Sequence, residues 1–213
     1  MRKMNRFVQA GLAVCVAATM SLTATSAQAN LLTNPGFEDP VTADGPPFVG
    51  FWEAFNGGGA ASFNSTVMPL SGLQHLELQI NNAPNTFAGA FQDIPGLIVG
   101  QELTWAGWTK DLGVNAGGAE VRIEWRDSVS NVEITRTPNM VPVLTPGEYT
   151  QWSLTALVPA GADTARVVYA IQSFGAGPSQ LHFVDDTSVT VIPEPASLAL
   201  LGLGGLAMLR RRA

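Results

Sequence analysis

Cysteine is almost missing from these 213 residues, with Cys15 standing alone. One thiol excludes a disulfide scaffold, and any mature chain that begins beyond it has no thiol nucleophile or thiolate ligand. Histidine is nearly as scarce. His75 and His182 are the only two, and neither has a second His or Cys at metal-ligand spacing. Basic residues are few and unevenly placed, since six of the 11 lie in the end segments as Arg2, Lys3, Arg6, Arg210, Arg211 and Arg212. Between Asn30 and Ile192 only Lys110, Arg122, Arg126, Arg136 and Arg166 face 16 acidic residues, a net charge of −11. So acidic a region repels phosphate backbones, which excludes nucleic acid as a partner. There is no Gly-x-Ser-x-Gly elbow, and Gly57-Gly58-Gly59 is a turn because no helical pattern follows it. What is present is a 46% apolar composition, enough to exclude a disordered chain, in a length that suits one ordinary domain.

Both ends read as addresses. Arg2, Lys3 and Arg6 precede an uninterrupted apolar or small run from Ala10 to Met20, and Ala27-Gln28-Ala29 offers small residues at a cleavage site. This layout predicts a secretory signal peptide over 1–29, removed by signal peptidase, with Asn30 the first mature residue. Cys15 follows part of a lipobox, but Val14 is too bulky for one, so the thiol is expected to leave with the signal. At the other end, Ile192-Pro193-Glu194-Pro195 leads into Ala196–Leu209, an uncharged apolar run, and then Arg210-Arg211-Arg212. The prolines stop the preceding element, and the arginines stay on the cytoplasmic side because they enter hydrocarbon only at high cost. As a helix the 14 residues rise roughly 21 Å, short of a full bilayer, so snorkelling arginines and local thinning are needed to span it.

Those residues resemble the PEP-CTERM family of sorting tails in their order: Pro193-Glu194-Pro195, a Gly-rich apolar helix, and the arginine cluster of Arg210, Arg211 and Arg212. Ile192 stands where Val is the commonest family choice. The resemblance implies a sorting signal over 191–213 with a transmembrane helix, recognised and processed by exosortase, a membrane enzyme. It further implies a Gram-negative exported protein, held briefly in the inner membrane and then delivered to the cell surface or to an extracellular matrix rich in exopolysaccharide.

The middle of the chain alternates rather than following a helical period. Val121, Ile123 and Trp125 alternate with Arg122, Glu124 and Arg126, and Leu76, Leu78 and Ile80 share one face. In Leu181–Val189 the residues Leu181, Phe183 and Asp185 share a face, expected to point into the interior, with His182 opposite. Further strands are expected at Phe51–Phe55, Phe87–Ile94, Leu103–Lys110, Tyr149–Val158 and Ala165–Ser173, separated by Gly- and Pro-rich turns. The fold class is therefore all-β: one β-sandwich, a jelly roll, over 30–190.

An inward carboxylate at Asp185 costs several kcal/mol unless paired, protonated or bound to a cation. Bases are scarce, and calcium favours oxygen ligands drawn from separate segments. Capping of loop amides by Glu38 and Asp185 is the plainer alternative. Of the tryptophans, Trp105 and Trp108 fall on opposite faces of one strand, and Trp125 follows the inward pattern. Trp108, beside Thr109, Lys110 and Asp111, is the candidate to meet a ligand.

Asn30–Glu38, the entry Ser71–Leu78 and the closing Leu181–Val189 resemble the galactose-binding-like jelly rolls, which include carbohydrate-binding modules. That resemblance implies a structural calcium tying the first segment to the last strand, with Glu38 and Asp185 as side-chain ligands and backbone oxygens near Gly36, Ser71 and Gln74. It also implies a carbohydrate-binding rather than catalytic role. The competing readings are a structural surface protein acting by self-association and, lower, a glycan hydrolase using carboxylates such as Glu124 and Glu133. Asn64-Ser65-Thr66 matches a glycosylation sequon, a pattern short enough to arise by chance.

Overall fold

Ten strands and no helix form the regular structure of the described residues, which are 28–112, 118–175 and 179–192 of a computed structural model. The segments expected to be signal peptide and sorting tail lie outside these residues, apart from Gln28, Ala29, Val191 and Ile192. Cys15, Pro193, Glu194, Pro195, Arg210, Arg211 and Arg212 lie outside them as well. Among the described residues no helix is long and apolar enough to cross a membrane.

In chain order the strands are β1 (Glu53–Asn56), β2 (Ala60–Ser65), β3 (His75–Ile80), β4 (Phe87–Pro95) and β5 (Glu102–Asp111). They continue with β6 (Ala119–Asp127), β7 (Val132–Arg136), β8 (Tyr149–Leu157), β9 (Thr164–Gln172) and β10 (Gln180–Ile192). Two five-stranded sheets result, ordered β1-β4-β9-β6-β7 and β2-β3-β10-β5-β8. Every strand pairing is antiparallel. The sheets pack face to face as a sandwich, as alternation with one apolar face per strand requires. Eight of the ten strands match those expected from sequence; β2 and β7 do not.

The inner faces carry Leu76, Leu78 and Ile80 of β3, Leu103 and Trp105 of β5, Val121, Ile123 and Trp125 of β6, and Val167, Tyr169 and Ile171 of β9, all buried. Trp105 meets Trp152 edge-on at 4.7 Å, and Trp152 meets Tyr169 of the opposite sheet at 5.7 Å. The Tyr169 hydroxyl lies 2.6 Å from Thr109 Oγ1, which donates to the Phe183 carbonyl at 2.9 Å. A buried hydroxyl pair thus stitches the two sheets together without leaving a polar atom unmatched.

The N-terminal segment takes the place beside β10 that β3 leaves vacant. Leu31 N donates to Val189 O at 2.8 Å, Val189 N donates to Asn30 Oδ1 at 2.9 Å, and Thr187 N donates to Pro35 O at 2.9 Å. Leu32 and Phe37 then enter the core, where Phe37 packs 4.8 Å from the Trp52 ring. Asn64 braces the segment, accepting from Val41 N and donating to the Phe37 carbonyl, so the sequon's amide is engaged within the domain.

One expectation is corrected here. Asp185 does share a face with Phe183, but that face is the outer side of the second sheet, because Asp185 sits opposite Trp108 and Phe183 opposite Lys110. The interior side carries His182, opposite Leu78 and Asp111, and Val184, opposite Leu76 and Thr109. Asp185 and Phe183 are nonetheless buried, under the 66–74 loop. A bulge between Asp185 and Ser188 resets the phase, so that Val189 returns to the core.

Candidate carbohydrate-binding face

Four of the five basic residues between Asn30 and Ile192 stand on one surface, the outer face of the first sheet. The alternation that buries Val121, Ile123 and Trp125 turns Glu120, Arg122, Glu124 and Arg126 outward. Register then aligns residues far apart in sequence. One rung reads Glu53, Phe91, Val168 and Arg122; the next reads Asp93, Arg166, Glu124 and Arg136. Toward the β1 edge, Phe55 lies opposite Gly89 and Gly89 opposite Ala170. Gly89 keeps this floor low, since a Cβ there would come within 2.4 Å of the Phe55 ring and 2.7 Å of the Tyr169 carbonyl.

The charges are held in a network. Arg166 forms a bidentate pair with Asp93, its Nε and guanidinium nitrogen 2.7 and 2.9 Å from the two carboxylate oxygens. Its guanidinium carbon also lies 4.0 Å from the Phe91 ring centre and 4.8 Å from that of Phe48. Arg122 bridges Glu120 and Glu124, Arg126 reaches Glu124, and Arg136 pairs with Glu133. The Arg136 hydrogen bond holds the Glu133 carboxyl below the usual carboxylate range. Asn139 donates to Glu120 at the rim.

Two hollows open on this face. One of about 150 Å³ is lined by Phe55, Phe91, Arg122, Glu124, Arg166 and Val168. Beside it, a hollow of about 200 Å³ runs between Pro46–Val49 and Asp127–Ser128, with Asp93, Arg126 and Asn131 in its wall. Half-buried phenylalanine rings next to fixed donors and acceptors are the residue types that stack on the C–H face and bond the hydroxyls of a sugar ring.

The residues singled out from sequence gather elsewhere, on the outer side of the second sheet. Asp185 Oδ2 accepts from Leu70 N at 2.9 Å and Ser71 N at 3.2 Å, and Oδ1 accepts from Asp186 N at 2.8 Å. Glu38 Oε1 accepts from Leu73 N and Gln74 N, and Gln74 Nε2 donates to the Glu38 carbonyl. Gly72, at φ 60°, leaves room for that carboxylate, which a Cβ would strike at 1.9 Å. Gly36 faces the Asp185 and Asp186 carboxylates at 3.8 and 3.7 Å from its would-be Cβ. Glu38, Asp185, Gly36, Ser71 and Gln74 therefore meet in one acidic knot. Burial, with the nearby Asp186 charge adding, pushes the Asp185 carboxyl above its usual range against the pull of the Ser71, Asp186 and Leu70 amides.

The carboxylates of Glu38 and Asp185 are oxygen ligands of the kind calcium favours, but Ser71 and Gln74 turn backbone N–H groups toward them, and among the described residues no base is ion-paired with either. Among the described residues, however, no three acidic or histidine side chains converge as a ready-made metal cluster. Trp108 lies on this same outer face and is the one tryptophan of five that is not buried. His75 and His182 are both buried, and among the described residues neither ring has a hydrogen-bond partner.

This is the fold of the carbohydrate-binding-module jelly rolls. The CBM22-1 xylan-binding domain from Paenibacillus barcinonensis superposes with a TM-score of 0.55 at 14% identity, over 80% of this chain and 99% of that one. A family 16 carbohydrate-binding module gives 0.51 at 14% identity, over 76% and 99%. The enzymatically active domain of bacteriophage CBA120 tailspike protein 4 gives 0.58 at 15% identity, over 76% of this chain; the match spans about a fifth (21%) of the tailspike chain. At these identities the likeness is one of fold. Residues 191–213 match the PEP-CTERM protein-sorting motif, so the sandwich precedes a sorting tail. No curated protein matches the chain.

Proposed function

We propose that the chain is a non-catalytic surface or matrix protein of a Gram-negative bacterium, exported across the inner membrane and processed by an exosortase-type enzyme. Its sandwich binds extracellular polysaccharide on the outer face of the first sheet. The observation that carries this reading is the concentration of four arginines on one face of a domain otherwise poor in bases, interleaved with Glu120, Glu124, Glu133 and Asp93 and bordered by phenylalanines. Four arginines against five carboxylates, Glu53 among them, leave the face close to neutral, suited to an uncharged, hydroxyl-rich polymer. A hydrolase reading gains nothing from Glu124 and Glu133. A general acid needs a raised pKa, whereas the Arg136 hydrogen bond lowers that of Glu133, and Glu124 is occupied by ion pairs with Arg122 and Arg126.

Affinity electrophoresis of the exported form in gels containing the producer's polysaccharide tests the reading. Phe55→Ala is expected to weaken retention about tenfold, equal to ~1.4 kcal/mol. Trp108→Ala interrogates the second sheet's outer face, the other place where a sugar ring can stack, and is expected to leave retention unchanged. Unaltered retention in Phe55→Ala would remove the first-sheet site. Light scattering that rises with concentration and ignores polysaccharide would favour self-association instead.

We further propose that the acidic knot holds a structural calcium through Glu38 and Asp185, with backbone oxygens near Gly36, Ser71 and Gln74. The support is Asp185 itself, a buried carboxyl that among the described residues has no ion-paired base. Chelation is expected to lower the melting midpoint by roughly 5 °C, restored by added calcium. A midpoint indifferent to both EDTA and calcium removes the ion and leaves amide capping as the whole role of these carboxylates.

A further inference from the structure

The strand that ends at Ile192 leaves little chain before the apolar tail segment. From Ile192 to Ala196 there are four Cα–Cα steps, which reach at most about 14 Å however they run. The residues around Ile192 are therefore confined close to whatever surface the tail enters. Exposed apolar side chains gather at this end of the second sheet. Ile192 lies opposite Glu102, and Glu102 opposite Leu157, so the two apolar residues flank one carboxylate on the last rung of the second sheet. The preceding turn is locked against this rung, Gly100 N donating to Val158 O and Val158 N to Gln101 O, both at 2.9 Å. The turn presents Ile98 and Val99 at its tip. Relative exposures are 64% for Ile98, 51% for Val99, 61% for Leu157 and 46% for Ile192.

We propose that in the tail-bearing form this apolar rim docks on the lipid surface that holds the chain's own tail, seating the end of the sandwich in the interfacial layer. The proposal rests on reading 196–209 as the membrane segment. The rim has no lysine or arginine, so apolar insertion rather than attraction to anionic headgroups drives the contact. Four side chains give a weak surface by themselves. The short tether supplies the high effective concentration that makes the contact persist, and removal of the tail releases it.

The test uses the full tail-bearing chain in phosphatidylcholine vesicles, with Cys15→Ser so that each introduced thiol is unique. An environment-sensitive fluorophore is attached at Val99→Cys, at Leu157→Cys or at Leu73→Cys. Leu73 is 75% exposed in the loop over Asp185, whose β5 partner Trp108 stands six residues from Glu102 of the rim, about 20 Å at strand rise. The first two labels are expected to shift to the blue and to be quenched by shallow spin-labelled lipid at least about twofold more than the Leu73 label. Co-flotation with all three labels equally unquenched overturns the docking and spares the anchor. Failure to co-float overturns both. A blue shift that follows protein concentration without lipid means that a second copy covers the rim, and overturns the lipid assignment.

Discussion

Replacing Arg166 with alanine is expected to destabilise the domain by about 3–5 kcal/mol, the range for removing one partner of a buried ion pair. The side chains of Arg166 and Asp93 are only 12% and 8% exposed, and the guanidinium meets both carboxylate oxygens. Removing it strands a desolvated Asp93 charge between Phe48 and β9 and also deletes the cation stacked on Phe48 and Phe91. For a domain of this size the midpoint should fall by about 10 °C or more. Arg166→Lys keeps the charge but not the planar fork, and should lie between wild type and alanine. The double variant Asp93→Ala/Arg166→Ala should be more stable than Arg166→Ala alone, because no orphan charge remains. A single-variant midpoint within about 2 °C of wild type would show the pair to be solvated, its worth that of a surface ion pair. Because Arg166 lines the first hollow, its loss should also widen that hollow and weaken polysaccharide retention.

Strand alternation carried most of the fold because most strands have one apolar face and one polar face. β6 is the clearest, with Val121, Ile123 and Trp125 against Arg122, Glu124 and Arg126. β7 gives no such signal: it is an edge strand whose Val132 and Ile134 are both exposed, so burial imposes no pattern. β2 fails for a related reason. Its one large apolar side chain, Phe63, points outward opposite Glu77, while small residues such as Ala60 and Ser62 line its inner face. Alternation does not reveal the face of Asp185, because β10 is apolar on both sides at that point. Phe183 and Val184 are equally buried, and only the 66–74 loop, contributed by distant residues, decides which side is interior.

The candidate binding face was half legible. The outward charges of β6 follow from alternation, yet by themselves they read as solvated surface. Arg166, Asp93 and Arg136 join them only through strand register, from three other strands. Phe55 and Phe91 gave no signal either, since an aromatic residue in a strand is more often core than platform. The acidic knot shows the reverse. Its members were named from short motifs, and the structure brings all of them together, while their partners prove to be backbone amides.

Between pH 6.5 and 4 the domain is expected to lose about 3 kcal/mol of stability through His182 alone, for a shift of 2.5 pH units. His182 is fully buried on the inner face of β10, and desolvation lowers its pKa from 6.5 to about 4, with Asp111 at 3.7 Å opposing the shift. The folded form thus refuses a proton that the unfolded chain takes up. Stability is intact above the unfolded pKa and falls as the pH drops, until the folded pKa is reached. His75 is lowered by burial as well and acts in the same direction. Asp185, whose pKa is raised, acts in the opposite one, because its folded form gains from protonation. The comparison that isolates His182 is therefore between wild type and His182→Gln, by urea denaturation across that window. The variant's curve should be flatter by about 1.4 kcal/mol for each pH unit. Parallel curves would mean that water or Asp111 lets the folded imidazole take up its proton near the ordinary pKa.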